Sequence, residues 1–328
     1  MYLIFDTETT GLPKRWDAPI TDTDNWPRAI QIAWQLHDTM GNCIEHQDYL
    51  IKPNGFNIPY DAEKIHGIST ELALEQGISL SQVLEKFNIT MSKTKFIVGQ
   101  NVKFDLNVMG AEFVRLNVEN PLQKLPVLDT CTEHTASLCQ IPGGRYGKFK
   151  LPTLTELHQF LFDTPFGEAH NATADVEATT RCFFELLRRR EYTTEQLDVQ
   201  PDYYQEFEEN NPLPIEGIKI KHINLKHESE KINERLQKEQ SETVPASTNK
   251  EAAAKLTDAG FVHLHNHSQF SILQSTISIK DLVSAAAKEN MPAVALTDHG
   301  NMMGAFHFVS AISSYNKSVK AQHAGAEE

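Results

Sequence analysis

Tyr2-Leu3-Ile4-Phe5 runs without interruption into Asp6-Thr7-Glu8. A segment apolar at consecutive positions suits a strand covered on both faces, not a half-solvated edge. Side chains alternate along a strand, so Asp6 and Glu8 project from one side with their oxygens close together. Two like charges at the end of a buried strand need a compensating cation. A hard divalent ion such as Mg²⁺ or Mn²⁺ is the natural partner of carboxylate oxygens, and it also handles phosphate.

Strand and helix patterns alternate from Tyr2 to about Arg190. Strands are expected at Tyr2 to Asp6, Ala29 to Leu36, Glu45 to Ile51, Phe96 to Gly99 and Val127 to Asp129. Leu80, Val83, Leu84, Phe87 and Met91 have helical spacing, as do Leu154, Leu157 and Leu161, and Ala172 to Arg190 reads as a long helix. This is an α/β domain with a central mixed sheet, over residues 1–192. Residues 193–259 are rich in acids, amides and prolines, including Pro201, Pro212, Pro214 and Pro245, with a low-complexity run at Ser247 to Lys255. They read as a linker burying little surface, with a solvated helix over Glu228 to Gln240. A second apolar pattern occupies residues 260–316. It has strands at Phe261 to His265 and Ala293 to Thr297, a helix over Ile279 to Lys288 capped by Ser278, and a further helix from about Met302; residues 317–328 are a polar tail.

Composition narrows the function classes. The net charge of −14 argues against a broad basic surface gripping long duplex, but not against a cleft that takes the last few nucleotides of a strand. Cys43, Cys131, Cys139 and Cys182 lack a CxxC pair and read as reduced core thiols. No apolar run approaches a membrane span, and the N-terminus shows no basic patch followed by an apolar stretch and a small-residue cleavage site, so a cytoplasmic location without membrane partners is expected.

Three landmarks extend the opening pair. Asn101-Val102-Lys103-Phe104-Asp105 follows the strand Phe96 to Gly99, and His170-Asn171-Ala172-Thr173-Ala174-Asp175 opens the long helix. The ordered set Asp6, Glu8, Asp105, His170 and Asp175 resembles the DEDDh (DnaQ-like) exonucleases, over roughly the first 190 residues. The resemblance implies an RNase H-like mixed sheet flanked by helices and a two-metal phosphodiester hydrolase, its ions about 3.5–4 Å apart. By it, Asp6, Glu8 and Asp175 hold the first of two Mg²⁺ or Mn²⁺ ions, Asp6 bridges, Asp105 supports the second, and His170 is the general base. It also implies that Thr9, Thr10, Leu12, His66, Asn101 and Phe104 contact the nucleotide, Leu12 as a wedge against its base. The basic, aromatic loop Gly143 to Lys150 suits phosphates and unstacked bases, and equally suits a solvated surface loop. Departure from the smallest family members lies in inserts such as Pro13 to Trp26.

The later motifs Phe261-Val262-His263-Leu264-His265-Asn266-His267-Ser268 and Leu296-Thr297-Asp298-His299 resemble the start of the PHP domain of bacterial DNA polymerase III alpha chains. That resemblance makes His265, His267 and His299 ligand positions for Zn²⁺ or Mn²⁺ in an incomplete α/β barrel fragment. Gln274 stands where many such domains carry an acid, and the later ligand positions are absent, so no enzyme is expected in this segment. Together the two parts resemble a Bacteroidetes-type replicase in which the proofreader precedes the alpha chain, the polymerase domain being absent here. The expected activity is 3′-to-5′ proofreading of a single-stranded or frayed DNA end, with release of nucleoside 5′-monophosphates. Its implied partners are the polymerase domain and other replisome components. A sliding-clamp contact at Gln196-Leu197-Asp198-Val199 competes with a plain helix end there. Rival readings are an RNA exonuclease and a non-catalytic docking scaffold.

Overall fold

A computed structural model describes residues 1–144, 147–167, 171–218, 220, 223–243, 262–271 and 274–324. The chain forms two compact units, Met1–Ser241 and Glu242–Glu328.

In the first unit, β1 (Tyr2–Thr9), β2 (Ala29–His37) and β3 (Cys43–Leu50) form an antiparallel meander. Helices α1 (Tyr60–His66), α2 (Thr70–Gln76) and α3 (Leu80–Met91) follow, then β4 (Phe96–Gly99), α4 (Lys103–Arg115), β5 (Val127–Asp129), α5 (Glu133–Cys139), α6 (Leu154–Phe162) and α7 (Ala172–Arg188). The sheet order is β3-β2-β1-β4-β5, with β4 and β5 parallel to β1. This is the expected RNase H-like mixed sheet, with β1 at its centre.

The alternation in β1 divides the core. Leu3 and Phe5 pack with Ile32, Trp34 and Leu36 against α3 and α4, through Val83, Leu84, Phe87, Val108 and Met109. Tyr2 and Ile4 face the other way, against Ala172, Val176, Phe183, Phe184 and Leu187 of α7. Asp6 and Glu8 continue the Tyr2–Ile4 face, so the sheet's own pleat aims them at the start of α7.

The segment expected to be a linker is largely part of this unit. Three helices, α8 (Thr194–Leu197), α9 (Tyr203–Asn210) and α10 (Leu225–Thr243), follow α7. Leu197, Tyr203, Tyr204 and Phe207 join the α7 side of the core, and Leu225 and Ile232 of α10 pack with Ile58, Ile68 and Leu72. The helix expected to be solvated is therefore docked along one face. Gly67 shows how closely: its φ of +76° ends α1, and a β-carbon there would stand 2.7 Å from the Lys226 backbone nitrogen. Buried Ser229 accepts the Ser69 N–H at 3.0 Å and donates to the Gly67 carbonyl at 2.7 Å. Ser229→Ala strands both groups and costs roughly 1–3 kcal/mol, read as a lower urea midpoint. Gln196–Asp198 is the end of α8, with Asp198 in the left-handed region and Leu197 buried. The low-complexity run 247–255 lies outside the described residues.

The second unit holds α11 (Ile279–Lys288) and α12 (Met303–Ala324). Ser278 caps α11 as expected, accepting the Asp281 N–H at 3.1 Å. The two strands expected here are reduced among the described residues to one parallel bridge, His263↔Val294, extended by Ala295 N–H to the His263 carbonyl. A parallel pair without further strands beside it has little to hold a longer ladder. No described helix is long and apolar enough to cross a membrane.

Candidate active site

β1 pairs with β4 only through Ile4. Beyond that point the sheet opens on the β4 side, and the first turn of α4 fills the gap. Thr7, left without a β4 partner, donates its N–H to Asp105 Oδ1 at 3.0 Å and its hydroxyl to the same oxygen at 2.6 Å. Asp105 is buried. On the other face the N-terminus of α7 is fixed by Asn171, whose side chain accepts the Thr173 N–H. A polar chain ties it to the sheet: the Thr173 hydroxyl donates to Asp48 Oδ2 at 2.5 Å, and the Gln31 amide to Asp48 Oδ1 at 2.9 Å. Gln31 lies opposite Glu8 in the β1–β2 register.

These supports bring Asp6, Glu8 and Asp175 together, with one ligand atom from each within 4.8 Å of the others. This is the sole such group of three or more among the described residues. Burial, then repulsion from Asp105, Asp175 and Glu8, holds the Asp6 carboxyl well above the carboxylate range. Burial and repulsion from Asp175 and Asp105 push Glu8 up to about 8. Asp105 is pushed up to about 7 by burial, against the lowering effect of its bonds from Thr7. Among the described residues no lysine or arginine forms an ion pair with Asp6, Glu8 or Asp105. A converging set of carboxylate oxygens whose burial and mutual repulsion raise their pKa values fits a hard divalent cation.

The pH dependence follows. The folded state holds protons on these acids that the unfolded chain has already released. Stability contributed by the protonated forms is therefore full below the ordinary values of 3.8 and 4.5, and is lost as pH rises through about 7 for Asp105 and about 8 for Glu8. The metal-free protein should melt at a falling temperature across that window in calorimetry. Mg²⁺ or Mn²⁺ should restore most at the alkaline end, where the acids are ionised.

Asp129, not singled out from the sequence, is part of this support. Its carboxylate accepts the N–H groups of Asn101, Val102 and Cys131 at 2.8, 3.1 and 2.7 Å, fixing the turn that starts α4. Burial raises its pKa, and its charge in turn raises that of Asp105. The available signal was an acid at the end of a strand beside β4.

The expected nucleotide contacts fall around this centre in different ways. The Thr9 hydroxyl donates to the Gly11 carbonyl at 2.7 Å, and the Thr10 hydroxyl accepts the Arg28 N–H at 2.9 Å. Leu12 beyond them is 74% exposed. Asn101 is exposed with φ +57°. Half-buried Phe104 packs on Trp16 at 5.7 Å. His66 is buried, and its Nδ1 accepts the Ile68 N–H at 3.0 Å, closing its own turn. The basic loop is less free than its composition suggests, because Lys148 pairs with Glu133 at 2.6 Å and Lys150 with Glu156 at 2.7 Å. Arg145 and Tyr146 of that loop lie outside the described residues, as does His170.

In the second unit, His265 Nε2 and His267 Nε2 are 3.1 Å apart. His299 does not join them in a three-residue cluster; its N–H donates to Ser271 Oγ at 2.9 Å. Asp298, also unflagged by sequence, accepts from the Ser268 N–H at 2.6 Å, the Ser268 hydroxyl at 2.7 Å and the Ser271 hydroxyl at 2.9 Å. Burial acts to raise its pKa, but these bonds outweigh it and lower the value. Ile272 and Leu273 of the Ser271-to-Gln274 turn lie outside the described residues, as does Phe261.

Comparison with known proteins agrees with this division. A family model described as an exonuclease matches residues 3–183, and one described as a PHP domain matches residues 263–323. Curated relatives include the DNA polymerase III subunit alpha of Mycobacterium leprae, 41% identical over 66 residues, which are 20% of this chain and 5% of that protein. That of Borreliella burgdorferi is 52% identical over 48 residues, 15% of this chain and 4% of that one. The error-prone DNA polymerase of Symbiobacterium thermophilum is 46% identical over 67 residues, 20% and 5%. The matched part of this chain thus spans about a twentieth of these relatives' length. Among solved structures, E. coli exonuclease I with a dA16 oligonucleotide has a TM-score of 0.45 at 22% identity, over 62% of this chain and 42% of that one. Its dT13 complex has 0.47 at 23%, over 60% and 42%. The chain belongs to the exonuclease family, whose matched segment carries Asp6, Glu8, Asp105 and Asp175 on one sheet opening, and it continues into a PHP-domain segment.

Proposed function

We propose that the first unit is a metal-dependent 3′-to-5′ exonuclease that removes nucleoside 5′-monophosphates from an unpaired DNA end, as the proofreading part of a replicative polymerase assembly. The carrying observation is the convergence of Asp6, Glu8 and Asp175 within 4.8 Å, with Asp105 bonded alongside. The polymerase III alpha relatives support the replicative setting.

Asp6, Glu8 and Asp175 would hold one divalent cation and Asp105 would help hold a second, Mg²⁺ or Mn²⁺ in each case. When bound, such ions supply charge neutralisation at the scissile phosphate and a more acidic water. The chain's own contribution is orientation. Thr7 fixes Asp105, while Asp48 and Gln31 fix the start of α7 and so Asp175. His170 immediately precedes the Asn171 cap and is assigned as the base that takes the proton of the attacking water. An imidazole, with an ordinary pKa of about 6.5, suits that role at neutral pH. The His265–His267 pair is at most a partial metal site for Zn²⁺ or Mn²⁺.

Incubation of the full chain with 3′-mismatched DNA and with RNA of the same sequence, each with Mg²⁺ or Mn²⁺, tests the substrate. Faster monophosphate release from the DNA is the expected result. Preference for RNA rules out proofreading, and no metal-dependent release from either leaves only the docking role.

A further inference from the structure

The insert 13–26 carries an aromatic residue that the fold does not use for its core. Trp16 is 56% exposed, whereas Trp26 and Trp34 are 3% and 0% exposed. A tryptophan left half in water forfeits much of the apolar area it could bury. Its loop is nevertheless well tied. The Arg15 N–H donates to Asn25 Oδ1 at 2.8 Å, Asn25 Nδ2 donates to the Arg15 carbonyl at 2.9 Å, and Trp26 Nε1 donates to the Pro19 carbonyl at 3.1 Å.

The insert sets Trp16 against Phe104, with ring centroids 5.7 Å apart at 50°. Phe104 directly precedes Asp105 in the first turn of α4, so the aromatic pair stands beside the turn that carries this carboxylate. Basic residues flank both rings in sequence: Lys14 and Arg15 beside Trp16, Lys103 beside Phe104, all exposed. Arg15 makes only a loose pair with Asp22, at 3.9 Å. In a chain of net charge −14, exposed cations interleaved with aromatic rings beside an acidic site have a specific chemical fit. The rings offer a stacking face to a base, and the cations meet the phosphates on either side.

We propose that Trp16, braced on Phe104 and flanked by Lys14, Arg15 and Lys103, is a stacking platform for an unpaired base next to the nucleotide held at the carboxylates. It makes the site selective for single-stranded ends, because a base within a duplex has no free face to offer. The inference rests on the nuclease reading for which strand end approaches. The tied loop presents the ring in place, so little ordering cost accompanies binding.

The test has two arms on the full chain. In the first, Asp6→Asn protein without added metal is titrated with a single-stranded oligonucleotide and with a blunt duplex of the same length. Tryptophan fluorescence should be quenched by the single strand alone, and the change should vanish in Asp6→Asn/Trp16→Phe, since Trp26 and Trp34 are buried. In the second, Trp16→Ala should raise KM for single-stranded DNA by about 5- to 100-fold. The loss should appear in KM rather than kcat, be largely rescued by Trp16→Phe, and be absent for matched duplex. Absence of quenching, or an equal rise in KM for both substrates, overturns the platform. Quenching without hydrolysis by the unmodified chain upholds the platform and overturns the nuclease reading instead.

Discussion

Replacing Asp6 with asparagine should lower metal-dependent phosphodiester hydrolysis by roughly a hundredfold or more, because Asp6 would help hold the cation, which when bound would supply several kcal/mol of charge stabilisation. The same change should make the metal-free protein more stable at alkaline pH. Asp6 is forced among Asp105, Asp175 and Glu8, and burial and their charges raise its pKa. An amide of nearly equal shape removes that repulsion while the β1–β2 register is kept. The gain shrinks as pH falls toward the ordinary carboxylate range, where Asp6 is protonated in both states. Activity assays paired with melting curves at two pH values check both halves. An acid with a purely structural role would give the opposite pattern, lower stability at every pH.

The second large effect concerns α9. Phe207→Ala should destabilise the first unit by about 3–5 kcal/mol, as full truncation of a buried aromatic does. Phe207 is fully buried, its ring stacks on Phe184 of α7 at 6.3 Å and 13°, and it contacts Tyr203 at 5.8 Å. Chemical denaturation should show this as a lower midpoint with an unchanged slope. Because α7 also carries Asp175 near its start, removal of residues 193–241 should weaken metal binding as well as the fold.

That segment marks where sequence reading loses its grip. Tyr203, Tyr204 and Phe207 stand among Glu206, Glu208, Glu209 and several prolines, so a window average sees a polar tract. Only the i, i+1, i+4 spacing of the rings records that one face is buried. Local rules succeed where the signal is contiguous. The period of β1 places Asp6 and Glu8 on one face, α7 starts at the expected Ala172, and Ser278 caps an α11 whose limits agree with the expected Ile279 to Lys288. The carboxylate cluster was legible through the order of its residues. Its supports were not, since Thr7–Asp105, Gln31–Asp48–Thr173 and Asp129 are contacts between segments far apart in the chain. The contact between Trp16 and Phe104 is of the same kind. In the second unit, apolar runs that read as strands form a single bridge among the described residues, because strand formation depends on neighbouring strands as well as on the run itself.

The carboxylate site as a 3′-end hydrolase is tested most directly by the polarity of metal-dependent release. One single-stranded DNA, labelled at its 3′ or its 5′ terminal nucleotide, is incubated with the full chain and Mn²⁺. The 3′ label should appear first as nucleoside monophosphate, while the 5′-labelled strand shortens through a ladder, and both signals should be lost on chelation. Early release of the 5′ label as monophosphate, or release that survives chelation and Asp6→Asn, contradicts the assignment.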